Sequence, residues 1–349
     1  MKLHFIGLPH TETIKDYCWC AYTMKLMHMG QICKMIGYDI VLYGSNRDEG
    51  EFGEVVEVIT QEDRDKWFGH INWDIEVFNG WNPTDPWWVE MNRRSIEEIN
   101  KRIQPGDAIC IIAGRCQESI AKAFPNHVIL EWAVGYEGIL DYTHHCFESE
   151  IWRHFLYGKY GVNDGRFFDA VIPNSFNVKD FIFKEDKDDY FLFLGRLTPR
   201  KGLAIVEEIA KKHKVITAGQ GDIRIPGTEH VGVIRGKIKA EFLAGAKALI
   251  CPTTYIEPFG GVAVEAQLSG TPIITTDFGA FTETVSHSVT GFRCRTLLEF
   301  LDAADNVNRL DPRVIVALAR GKYTLEAVAP QWERWYDQIG TLYGKGWYA

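Results

Sequence analysis

Along the chain, short unbroken apolar runs alternate with longer stretches in which apolar residues recur every third or fourth position. The runs at 3–8, 40–43, 55–59, 107–114, 128–132 and 170–173 read as buried parallel strands, because they lack the two-faced alternation of a half-exposed sheet. Helical spacing covers 16–36 and a segment ending over 95–103. The pattern then restarts. Strands are predicted at 190–194, 215–218, 248–251, 272–275 and near Phe292. Helices are predicted at 202–213, 237–246, from the Gly260-Gly261 turn to Gly270, and at 297–307, 312–320 and 331–343. Repeated strand–helix alternation with glycine at strand ends predicts an α/β chain of two Rossmann-like, doubly wound units. The 349 residues suit two domains of roughly 150 each. Pro173-Asn174-Ser175 follows the last strand of the first series, so the boundary falls between 1–174 and 175–325, with a closing segment over 326–349.

Two stretches depart from this rhythm. The helix at 16–36 is unusually apolar, with Trp19, Tyr22, Met24, Leu26, Met27, Met29, Ile32 and Met35. A membrane-surface helix needs a strongly basic face. Only Lys15, Lys25 and Lys34 are available, which favours a core helix over membrane or partner docking. Between Trp73 and Trp88, aromatics and prolines without periodicity predict a loop. That loop is either a stacking platform for sugars or bases, or a segment pinned down by its own rings.

Composition narrows the function classes. Hydrophobic content of 46% and charged content of 24% are ordinary for a soluble globular protein. No apolar run approaches the ~18 residues of a membrane span. Residues 1–10 turn polar too soon for a signal peptide, and the expected location is the cytoplasm. The eight cysteines lack zinc-site spacing and read as reduced, mostly core thiols, so neither a metal nor a disulfide is expected. Net charge is −9, and it is uneven. Residues 1–175 carry 16 Lys and Arg against 26 Asp and Glu, a balance of −10; the remainder carries 22 against 21. An acidic first half argues against nucleic acid or anionic lipid as partners.

Three motifs in the second half carry chemistry. In Glu257-Pro258-Phe259-Gly260-Gly261-Val262-Ala263-Val264-Glu265, one acid precedes a helix and another lies inside it. The glycine turn between them leaves backbone N–H groups bare at a helix start, where anions are favoured. In Gly195-Arg196-Leu197-Thr198-Pro199-Arg200-Lys201-Gly202, two cations five residues apart follow a buried strand, where open α/β sheets bind ligands. Arginine clamps phosphate oxygens in pairs and lysine adds a movable point charge, so a diphosphate fits there. Gly219-Gln220-Gly221 ends a third strand in a turn that lets a base or ribose approach the backbone. Two acids alone would also suit a glycosidase, but hydrolases of that kind need no cation cradle.

Taken together, E-P-F-G-x4-E-A and G-R-x4-K-G resemble the signatures of family-4 retaining glycosyltransferases of the GT-B fold. Gly270-Thr271-Pro272-Ile273-Ile274-Thr275-Thr276-Asp277-Phe278-Gly279-Ala280 is similar to a third family pattern, with Ala280 replacing its last glycine. The resemblance covers about 190–285 by motif and the first half by topology, which is loosely similar to phage-encoded glycosyltransferases. It implies that Arg196 and Lys201 bind the donor diphosphate and Glu265 the ribose. Glu257 would hold the transferred sugar near the reacting face, and the amides of Phe259, Gly260 and Gly261 would face sugar and phosphate. Gly219 and Gly221 would border the nucleotide pocket, and the closing helix would return to the first domain. Catalysis would rest on Glu257, Arg196 and Lys201, with no metal and no cofactor beyond a nucleoside-diphosphate sugar as co-substrate. Retention would follow from front-face attack.

The first half departs from the family. Its Gly-rich loop is replaced by Gly7-Leu8-Pro9-His10-Thr11-Glu12-Thr13, and the acceptor-side histidine has no counterpart. His10, Thr11, Tyr136 and Glu137 are the candidate acceptor or phosphate contacts; His144, His145 and His154 read as surface or helix residues. The expected function is a retaining glycosyltransferase acting on a hydroxyl acceptor, a glycan or glycoconjugate. The alternatives are transfer to a hydroxymethylated base of phage-type DNA and a non-catalytic nucleotide-sugar-binding protein.

Overall fold

The computed structural model describes residues 1–345. Its first series runs β1 (Leu3–Ile6), α1 (Ala21–Ile36), β2 (Ile40–Gly44), β3 (Glu54–Glu57), α2 (Gln61–Phe68), α3 (Pro86–Asn100), β4 (Ala108–Ile111), α4 (Glu118–Ala123), β5 (Val128–Val134), β6 (His144–Phe147), α5 (Glu150–Tyr160) and β7 (Ala170–Val171). The second runs β8 (Phe191–Leu194), α6 (Leu203–Ala210), β9 (Val215–Ala218), β10 (Glu229–His230), α7 (Gly236–Gly245), β11 (Ala248–Cys251), α8 (Gly261–Leu268), β12 (Ile273–Thr276), α9 (Phe281–Thr284), β13 (Gly291–Cys294), α10 (Leu297–Asn306), α11 (Pro312–Tyr323) and α12 (Leu325–Lys345). Residues 346–349, the end of the predicted closing segment, lie outside the described residues.

Both sheets are parallel and doubly wound. The first has the order β3-β2-β1-β4-β5-β6-β7 and the second β10-β9-β8-β11-β12-β13. In each, the strand order reverses beside the first strand of its series, between β1 and β4 and between β8 and β11. Ligands of open α/β sheets bind in the crevice at that point, outside the carboxyl ends of the strands.

Helix α1 starts at Ala21, later than its apolar pattern suggests, after a single turn of 3-10 helix at Lys15–Tyr17. It is a core helix: Leu26, Met29, Ile32 and Cys33 are buried in the first core. Helix α12 joins that same core through Val328, Trp332, Trp335, Tyr336 and Ile339. The Trp335 indole N–H donates to the Phe168 carbonyl at 2.8 Å. No helix among the described residues is long and apolar enough to cross a membrane. All eight cysteines are free thiols, and only Cys18 reaches the surface in part.

The aromatic stretch is a loop only as far as Asp85. Pro86, Trp87 and Trp88 open α3, because proline is at home in a first helical turn. The indoles of Trp87 and Trp88 both donate to the Gly80 carbonyl, at 3.2 and 2.7 Å, and Trp88 is fully buried. The loop is therefore pinned by its own rings, as one of the two readings held.

The two halves also touch directly. The Ser149 hydroxyl donates to the Pro258 carbonyl at 2.6 Å. The Glu283 carboxylate accepts from the backbone N–H groups of Glu150 and Ile151 at the start of α5, at 3.0 and 2.7 Å. Arg235 pairs with Asp74 at 2.6 Å, and the Gln220 amide donates to the Trp73 carbonyl at 2.5 Å.

Candidate active site

The second sheet brings its two charged motifs to its own switch point. Strand β8 runs into Gly195-Arg196, and β11 leads through Pro252 towards Glu257. The intervening Pro199–Lys201 segment is one 3-10 turn closed by Gly202 at φ 76°. A Cβ at Gly202 would lie 2.0 Å from the Pro252 carbonyl oxygen, so only glycine lets the turn lie against the chain leaving β11. That close approach sets Lys201 opposite Glu257, with Nζ and Oε2 2.8 Å apart and both side chains largely buried. Burial opposes the ammonium charge; the Glu257 carboxylate outweighs it and holds Lys201 above the ordinary lysine range.

Arg196 differs. It is exposed, and among the described residues its guanidinium has no hydrogen-bond or ion-pair partner. Helix α8 begins just beyond Glu257, with Gly260 as its left-handed N-cap residue. Glu265, within α8, pairs with Lys239 of α7 at 2.8 Å. Burial again opposes the charge on Lys239 and the carboxylate raises it.

These groups line one cavity of about 1060 Å³, shared with residues of the first half and the linker that follows β7. Its wall holds eight Lys and Arg against four Asp and Glu. The local balance is thus basic in a chain of net charge −9. Such focusing raises the local concentration of anionic ligands. Among the described residues, no three His, Cys, Asp or Glu side chains converge as a metal site. A paired lysine, an unpaired arginine and two carboxylates thus meet at a doubly wound switch point.

Residues 188–310 match the family of group 1 glycosyl transferases. An uncharacterized glycosyltransferase of Methanocaldococcus jannaschii is 32% identical over 150 residues, 38% of each chain. Alignments with the first three curated relatives span only 38–54% of those relatives' lengths. The fold likeness extends further. AviGT4, a glycosyltransferase involved in avilamycin A biosynthesis, superposes over 97% of this chain and 98% of its own, with TM-score 0.69 and 15% identity. Anabaena HepE, solved in complex with UDP and glucose, does so over 97% and 99%, with TM-score 0.65 and 14% identity. The chain therefore has the GT-B architecture of two Rossmann-like halves.

The group 1 segment begins only at residue 188, after the whole of the first half. Several predicted contacts do not reach the cavity. His10 is buried and stacks on Phe78, with ring centroids 3.6 Å apart, among Trp19, Phe68, Trp73 and Trp81. Burial pushes its imidazole down to about 3. Thr11 is buried and accepts a hydrogen bond from the Thr23 hydroxyl at 2.7 Å. The Tyr136 hydroxyl donates to Glu131 at 2.8 Å, and Glu137 is an exposed partner of Lys159. Gly219 and Gly221 lie behind the Arg196 loop, where the Leu197 N–H donates to the Gln220 carbonyl at 2.7 Å. The Phe259 ring is buried with Phe176 and Tyr323, and Phe259, Gly260 and Gly261 are among the residues that line the cavity.

His145 corrects its surface reading. It is fully buried in β6, between Asp169 at 3.2 Å and Glu131 at 3.5 Å. Burial works against its charge, but the two carboxylates outweigh it and raise the imidazole to about 9. Sequence reasoning missed Lys25, Glu148 and Lys239. Their partners lie on other elements, and no local spacing marks them.

Proposed function

We propose that this chain is a retaining, metal-independent glycosyltransferase that moves a sugar from a nucleoside-diphosphate sugar to a hydroxyl acceptor. The observation that supports it most is the basic cavity at the β8–β11 switch point, with Arg196 unpaired beside the Lys201–Glu257 pair. Arg196 and Lys201 would hold the diphosphate and stabilise the charge that develops on it as it leaves. Glu257 would take hydroxyls of the transferred sugar, and Glu265 those of the ribose. The acceptor oxygen bonds to the anomeric carbon while the bond from that carbon to the diphosphate oxygen breaks, its electron pair leaving with the diphosphate. The acceptor proton ends on that departing oxygen, so attack and departure share one face and configuration is retained. A cytoplasmic location, where nucleotide sugars are made, is part of this reading.

Thermal melting with UDP, GDP and ADP tests it, because a ligand at one hundred times its Kd stabilises by about 2.7 kcal/mol. One of the three should raise the melting temperature, and the matching sugar nucleotide should be slowly hydrolysed. No shift from any of them, with no sugar nucleotide consumed, would overturn the proposal.

A further inference from the structure

Facing the donor motifs, the first half presents a polar group that the donor chemistry does not use. Lys25 of α1 is in direct contact with the Glu148 carboxylate, which follows β6 and is almost fully buried. The Asn174 amide donates to the other Glu148 oxygen at 3.0 Å. A Cβ at Gly135 would come within 2.4 Å of that carboxylate, so the end of β5 is bare to receive it. Burial pushes the Lys25 ammonium down to about 7, with Cys20 and the Glu257 carboxylate acting the other way.

Three observations tie this group to the reaction. Lys25, Gly135, Glu148 and Asn174 line the same cavity as Lys201 and Glu257. The Ser149–Pro258 hydrogen bond joins the residue after Glu148 to the residue after Glu257, so the two acids flank one contact between the halves. One helical turn beyond Lys25, His28 also lines the cavity; it is 6% exposed and its Nε2 has no hydrogen-bond partner. A buried ion pair with no task is weak evidence for stability, since its desolvation offsets its attraction. A buried ring nitrogen without a partner is also costly unless a ligand completes it.

We infer that Glu148 accepts a hydrogen bond from the acceptor hydroxyl beside the attacking one (from the second O–H when water attacks), with Lys25 and Asn174 fixing the carboxylate and His28 contacting a further hydroxyl of the same acceptor. The acceptor is then polyhydroxylated, a sugar or polyol. Glu148 orients the nucleophile through that neighbouring O–H, and the attacking hydroxyl's own proton stays free to leave with the diphosphate. This subsite rests on the glycosyltransferase reading.

The test compares the wild-type chain with the double variant K25M/E148Q and with E148D, using whichever sugar nucleotide shifts the wild-type melting temperature. The double variant removes both charges together, because removing one alone leaves the other buried without a partner. Sugar-nucleotide hydrolysis, with water as acceptor, and transfer to free monosaccharides are followed beside the Kd for the nucleoside diphosphate. The expected result is a fall in kcat of at least about tenfold, with nucleotide Kd and melting temperature within about twofold and a few degrees of wild type. E148D should recover part of the lost rate. Wild-type kcat in the double variant would overturn the subsite, and so would a loss of kcat matched by equal losses of affinity and stability. A wild-type chain that binds and hydrolyses no sugar nucleotide removes the glycosyltransferase reading itself, a result distinct from either.

Discussion

Two cations of the same loop should behave differently when removed. Among the described residues Arg196 has no hydrogen-bond or ion-pair partner, so Arg196→Ala should leave the unliganded melting temperature unchanged. Nucleoside diphosphate affinity should fall by about 1.5–3 kcal/mol, the range for hydrogen bonds to charged groups, as measured by calorimetry. Lys201→Met removes the partner of a largely buried carboxylate and should also cost about 1–3 kcal/mol of folding stability. Hydrolysis of the donor should fall by about 10²–10³, as for loss of one donor to a developing oxyanion. Equal behaviour of the two variants in melting would contradict this distinction. Arg196, Lys201, Glu257 and Glu265 were legible because each motif sits at one strand end or one helix start. Lys239 was not, because its partner is 26 residues away on another helix. His10 and Thr11 were misleading for a related reason: a polar loop gives no sign that aromatic rings from later in the chain will cover it.

At the scale of elements, the parallel strands were legible because burial on both faces leaves an unbroken apolar run. Strand β6 escaped notice because its sequence is His-His-Cys-Phe, and a polar strand is stable inside only when carboxylates such as Asp169 and Glu131 neutralise it. Helix α2 is charged at every position from Glu62 to Lys66, which hides its apolar face, though its start carries a complete capping box between Thr60 and Asp63. Helix α12 starts at Leu325, earlier than its Trp-rich pattern suggested: proline disfavours a helix interior, so the pattern reads from Gln331, yet Pro330 stands inside the helix. Its Trp332 is 3% exposed and sits edge-on to Trp132, with centroids 6.2 Å apart. Trp332→Ala should destabilise by about 3–5 kcal/mol. Denaturant unfolding checks this, and a loss under about 1 kcal/mol would show that α12 contributes little to the first core.

For the whole molecule, buried histidines shape the response to pH from both sides. His10, held down to about 3, and His28, pushed down by burial to about 4, titrate near 6.5 once unfolded. Below pH 6.5 the unfolded chain binds more protons, so stability falls on acidification. His145, raised to about 9, does the reverse. Its contribution is complete below about 6.5 and is lost as pH rises through about 9. Melting temperature should therefore peak near neutrality, and His145→Asn should flatten the alkaline limb. A variant that keeps the full alkaline decline would assign it elsewhere. The halves are also coupled, because Glu283 of the second caps α5 of the first. Any widening of the cleft strips two amides of their acceptor while the rest of α5 keeps its own bonds. Those two protons are a built-in gauge: their exchange with heavy water should speed up each time the cleft opens and slow when a bound nucleotide keeps it shut.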